Sequence, residues 1–143
     1  MASDSNCIFC KIAVKQIPAL MVHETDALVA FLDVNPLAQG HLLVIPREHY
    51  ERIIDMPDET LGQLAASLPR LGRALLNVSG AAGFNLLQNN GSVAGQVVPH
   101  VHFHLIPRQV DDGLGYRWNA GSYPPGRDAE LASAYRSALT GSD

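Results

Sequence analysis

Disulfide scaffolding, membrane insertion and a nucleic-acid footprint are what this chain has least material for. Cys7 and Cys10 are the only two cysteines in 143 residues, too few for a stapled fold. No apolar run approaches the roughly 18 residues of a membrane span, and the opening MASDSNCIFCKI lacks a signal peptide's basic start and apolar stretch. The expectation is a cytoplasmic protein. Ten Lys and Arg against 14 Asp and Glu, a net charge of −4, form no basic stripe, so polymeric nucleic acid and membranes are not expected partners. Charged residues make up 17% and hydrophobic residues 47% of the chain, a balance that fits one globular domain over residues 1–143.

Punctuation and periodicity outline the elements. Residues 19–34 read as a hairpin, MVHE and ALVAFLDV around the polar turn Glu24-Thr25-Asp26, and HLLVIP at 41–46 reads as a buried central strand. From Asp58 onward Leu61, Leu64, Leu68, Leu71 and Leu75 recur in steps of three and four, which predicts the longest helix, its stripe serving as core or dimer seam. Pro69 removes a backbone donor there and predicts a bend or interruption near Leu68. Residues 83–90 and 100–107 read as strands joined by a long loop, 91–99. Residues 111–127, rich in Gly and Pro around Tyr116, Trp118 and Tyr123, read as irregular. A short helix at 128–139, with Asp128 as its cap, closes the chain. Strands in close succession with separate helices indicate an α+β fold on an antiparallel sheet rather than βαβ units.

Histidine is what stands out. His100, His102 and His104, half of the chain's six histidines, alternate with Val101, Phe103 and Leu105, so on a strand the imidazoles share one face while the apolar three enter the core. Same-face neighbours lie about 6.5 to 7 Å apart, which suits two rings on one phosphate better than three on one metal. A pKa near 6.5 lets imidazole act as neutral nucleophile or as hydrogen-bond donor. Asn89, Gly91, Gly95 and Gln96 just upstream add amides and flexible backbone that suit phosphate oxygens. His41 and His23 receive no catalytic role, and His23 is expected to be exposed.

The run AGQVVPHVHFHLIPR, 94–108, resembles the signature of the histidine-triad (HIT) family, and CIFCKI and GHLLVIPREH are similar to its bacterial members. The resemblance implies a HIT-like fold of about five antiparallel strands with one long and one short helix. It also implies an enzyme of the nucleotidyl hydrolase and transferase kind. His102 would attack the α-phosphorus of a nucleoside phosphoramidate, acyl-adenylate or dinucleoside polyphosphate, water would release the nucleoside monophosphate, and His104 would bind a phosphate oxygen. By motif position Asn89 and Gln96 imply phosphate or leaving-group contacts, Asp33 a ribose hydroxyl acceptor, and Phe31, Val34 and Leu43 a base pocket. Where relatives of the phosphoramidase branch carry serine, this chain has Val97, which keeps the backbone N–H for phosphate and loses the hydroxyl. Relatives imply a homodimer that extends the sheet across a two-fold axis, with the aromatics of 116–123 lining the site, covering the partner's site, or simply anchoring the loop.

Cys7 and Cys10 at CxxC spacing supply half of a tetrahedral zinc site. No βαβ context follows to favour a redox pair. The resemblance implies that His49 and His100 complete a structural zinc, one per chain. Two other readings are weighed: a catalytic metal held by triad histidines, and a nucleotide-binding regulatory module with little turnover.

Overall fold

The computed structural model describes residues 3–115 and 120–141. Among the described residues five strands, β1 (Met21–Glu24), β2 (Leu28–Leu32), β3 (Leu42–Pro46), β4 (Gly83–Gln88) and β5 (Phe103–Arg108), form one antiparallel sheet in the order β1-β2-β3-β5-β4. Three α-helices among the described residues accompany it: α1 (Ile8–Ala13), α2 (Asp58–Ser79) and α3 (Arg127–Gly141). The α+β antiparallel fold expected from the residue pattern is the fold observed.

Alternation along β2, β3 and β5 divides the core in two. Leu28, Ala30, Leu42, Val44, Val101, Phe103 and Leu105 pack with Leu64, Leu71 and Leu75 of α2. Val29, Phe31, Leu43 and Ile45 point the other way and pack with Cys7, Phe9, Cys10 and Ile12 around α1. Burial on both faces explains why these strands read as continuous apolar runs. The leucine stripe is therefore core, with Leu61 and Leu68 packed at its margin.

Four boundaries correct the sequence reading. First, α1 is a helix that the sequence reading did not include; Cys7 caps it, its Sγ accepting from the Cys10 N–H at 3.4 Å. Second, α2 runs without interruption through Pro69, because its stripe of buried leucines holds the turn against the sheet despite the missing donor. Third, β5 begins at Phe103 rather than at residue 100. Extending the register of Leu42 opposite Leu105 and Val44 opposite Phe103 would set Val101 against Pro46, which has no N–H to lengthen the ladder. The Val101 N–H instead donates to the Tyr50 carbonyl at 2.7 Å. Fourth, α3 starts at Arg127, placing Asp128 inside its first turn, where it accepts from the Ala129 N–H at 2.8 Å. His23 is half-buried rather than exposed. Tyr116 and Trp118 lie outside the described residues, and Tyr123 is exposed.

Candidate functional site

Because β5 starts late, His100 and His102 sit on a short irregular stretch that crosses the α1 face of the sheet, while His104 sits on β5 opposite Leu43 and Leu87. The triad therefore splits. His102 and His104 remain neighbours, with ring centroids 4.9 Å apart. His100 is fully buried and turns toward Cys7, Cys10 and His49.

Hydrogen-bond partners assign each ring's tautomer, since a carbonyl only accepts and a backbone N–H only donates. His102 Nδ1–H donates to the His100 carbonyl at 2.7 Å, which leaves Nε2 with its lone pair. The Leu37 N–H donates to His41 Nδ1 at 3.1 Å, so the His41 proton sits on Nε2 and donates to His104 Nδ1 at 2.9 Å. His104 consequently carries its proton on Nε2. Burial lowers the pKa of His102, and burial together with His102 and His41 lowers that of His104 to about 4. Both rings are neutral near pH 7, one presenting a lone pair and its neighbour an N–H.

His41, given no role by the sequence reading, belongs to this arrangement. Its signal was weak: one histidine opening an apolar strand, 63 residues from its partner. With Asp33, whose Oδ2 lies 3.7 Å from His41 Nε2, and His104 it also forms a group that could hold a metal. The hydrogen bonds favour a relay instead. A metal on His41 Nε2 would move the proton to Nδ1, against the Leu37 N–H, and a metal on His104 Nε2 would set two N–H groups face to face.

His102 and His104 open into a cleft of about 510 Å³, a usual size for small-molecule sites. Phe31, Leu43, Asp33 and Val34 all line it, as do Gly95, Val97 and Val98. Asp33 also serves its turn, Oδ1 accepting from the Asn35 N–H at 2.9 Å. The structure adds Ile8, Phe9, Ile12 and Ile17 to the lining; Phe9 meets His102 edge-on at 5.1 Å. Asn89 and Gln96 are not part of the lining. Asn89 Nδ2 donates to the Gly95 carbonyl at 3.5 Å. Gln96 is buried, its amide accepting from the Gly91 N–H at 2.7 Å and donating to the carbonyls of Glu51 and Val98 at 2.6 and 3.1 Å. Its side chain shapes the 91–99 loop, whose Gly91 and Gly95 take positive φ of 89° and 96°, conformations that suit glycine.

Behind the cleft, Cys7, Cys10, His49 and His100 offer four ligand atoms, all within 4.8 Å of one another. Tetrahedral zinc, with Zn–S about 2.3 Å and Zn–N about 2.0 Å, separates sulfur from nitrogen by about 3.5 Å and two nitrogens by about 3.3 Å. The Cys7–His100, Cys10–His49 and Cys10–His100 separations are 3.4, 3.4 and 3.5 Å, and the two Nδ1 atoms lie 3.2 Å apart. His100 Nε2–H donates to the Pro46 carbonyl at 2.9 Å, so its Nδ1 faces the cluster as a lone pair. The four residues fit a zinc ion.

The buried neutral His104 ties stability to pH. The unfolded ring takes up a proton below its usual 6.5 and the folded ring only below about 4, so acidification through that window favours the unfolded chain. The melting temperature should fall between those pH values, and replacing His104 with glutamine should flatten part of the slope. An unchanged slope in the variant would contradict the assignment.

Residues 14–111 match the HIT domain. The chain is 42% identical over 125 residues to the adenosine 5'-monophosphoramidase of Candida albicans, covering 84% of this chain and 82% of that protein. It is 39% identical over 140 residues to Protein hit of Bacillus subtilis, covering 96% and 97%. A crystal structure of a HIT family member from Bacillus subtilis superposes with a TM-score of 0.88 at 38% identity, covering 93% of this chain and 96% of that one.

Proposed function

This chain belongs to the HIT family, and from that premise we propose that it is a nucleotide hydrolase or transferase. It would act at the α-phosphate of nucleoside phosphoramidates, with acyl-adenylates and dinucleoside polyphosphates as further candidates. The observation that carries this is the His102 tautomer: with Nδ1–H donating to the His100 carbonyl, Nε2 keeps its lone pair in a cleft beside the His104 N–H. A relative sharing 42% identity is named an adenosine 5'-monophosphoramidase.

In the proposed reaction the nucleoside lies along Phe31, Leu43 and Val34 with its ribose near Asp33. The His102 Nε2 lone pair forms a bond to phosphorus as the bond to the leaving amine breaks; the amine nitrogen keeps that pair and takes a proton from solvent. Water then attacks the phosphorus and gives up a proton to solvent. The N–P pair returns to Nε2, and a nucleoside monophosphate leaves. His104 Nε2–H holds a phosphoryl oxygen throughout, donating where charge develops. Cys7, Cys10, His49 and His100 would hold a zinc ion, which would supply a structural cation rather than Lewis-acid chemistry. Asn89, Gln96 and Val97 act through the 91–99 loop, whose Gly95, Val97 and Val98 line the cleft.

The test is intact-mass spectrometry after acid-free quenching with an adenosine phosphoramidate. The wild type should show a transient adduct of one AMP that His102→Ala lacks. AMP release from the variant at the wild-type rate would remove His102 as nucleophile.

His41 acts as a positioning residue. His41→Phe keeps a ring but no donor for His104 Nδ1, so kcat should fall by roughly 10- to 100-fold with AMP affinity nearly unchanged. A parallel loss of affinity would mean that the ring only supports the cleft.

The proposal includes a cytoplasmic homodimer paired through β4, an edge strand on which Phe84, Leu86 and Leu87 are 37%, 49% and 42% exposed.

A further inference from the structure

The six-residue helix α1 carries two sets of side chains. Cys7 and Cys10 point to the metal cluster, while Ile8 and Ile12, one turn apart, and Phe9 line the cleft. A helix this short does not persist by itself. The described bonds that tie it to the sheet are few. Arg47 Nη1 donates to the Ala13 carbonyl at 3.0 Å, and the two sulfurs meet His49 and His100. Phe9 reaches His102 and Phe31 edge-on at 5.1 and 5.8 Å, so a shift of α1 would move the cleft wall and the packing on the nucleophile together.

Resting on the nucleotide reading above, we propose that α1 is a metal-tethered wall of the nucleoside cleft: zinc on Cys7, Cys10, His49 and His100 holds Ile8, Phe9 and Ile12 against the bound nucleoside. Nucleotide affinity then depends on a cation that takes no part in the chemistry. Of its ligands, Cys7 caps α1, Cys10 lies within it, one follows β3 and one precedes β5, so releasing the ion leaves α1 held by apolar packing and the Arg47 bond alone, loosens it, and leaves the strand pairing in place.

The experiment measures AMP binding by calorimetry and backbone hydrogen exchange by mass spectrometry. It compares zinc-loaded protein, the same protein stripped with a chelator, the stripped protein given zinc again, and zinc-loaded Phe9→Ala. Stripping should weaken AMP binding by roughly tenfold or more, as expected when an apolar wall is lost. It should speed exchange at 8–13 while β3 and β5 stay protected, and zinc should reverse both. Phe9→Ala should keep its zinc and still bind AMP weakly. Unchanged affinity after stripping, continued protection of 8–13, or simultaneous loss of protection in the sheet would each overturn the tether. Zinc-loaded protein that does not bind AMP would remove the nucleotide reading and the tether with it, whereas equal binding with and without zinc would remove the tether alone.

Discussion

His102→Ala should lower turnover of an adenosine phosphoramidate by roughly 10⁴-fold or more, the scale seen when a covalent nucleophile is removed. AMP should still bind within a few-fold of wild type. The reason lies in how little else in the cleft can take over. His104 presents an N–H rather than a lone pair, because His41 donates to its Nδ1. His100 points into the Cys/His cluster. Asp33, the carboxylate on the lining, is engaged by the Asn35 N–H. The substitution thus removes the nitrogen lone pair on the cleft lining while Phe31, Leu43 and the 91–99 loop keep the nucleotide's surroundings. Steady-state kinetics with an AMP titration check this. A variant retaining a tenth of wild-type turnover would show that water attacks directly.

Cys10→Ser should abolish the proposed zinc binding and lower the melting temperature by roughly 10 °C or more, since the binding energy of a structural zinc contributes to folding. The spacing of the cluster suits a cation. His49 and His100 set their Nδ1 atoms 3.2 Å apart, and the His100 atom is a lone pair because Nε2–H is committed to Pro46. Burial raises the Cys10 pKa above its usual value, so the thiolate needs a positive partner inside the fold. Metal content by elemental analysis and a thermal melt check the prediction. A variant that still carries zinc and melts with the wild type would exclude Cys10 as a ligand. His100 links this cluster to His102, because its ring faces Cys7, Cys10 and His49 and its carbonyl accepts from His102 Nδ1–H.

The strand alternation, the leucine stripe and the CxxC pair were legible because each is a local pattern, repeating every two to four residues. Of the two outcomes that Pro69 suggested, a bend or an interruption, the interruption does not occur, because the packing of Leu64, Leu71 and Leu75 on the sheet outweighs the missing donor. The start of β5 was misplaced because it depends on Pro46, some 55 residues earlier, standing opposite Val101 in the sheet. Asn89 and Gln96 have the right chemistry for phosphate, yet sequence could not show that the Gln96 amide is engaged by backbone groups of its own loop and of Glu51.

By itself, the sequence determined that the fold is α+β on an antiparallel sheet, that Val101, Phe103 and Leu105 between the histidines enter the core, and that the chain resembles the HIT family. These follow from the two-residue period of a strand and from motifs contiguous in the chain. Only the tertiary structure decided that the triad divides, with one ring in the Cys/His cluster and two in the cleft, that His41 sets the His104 tautomer, and that α1 walls the cleft. Each depends on a hydrogen bond or ring contact between segments far apart in the chain, and such distances exist only once the strands have paired.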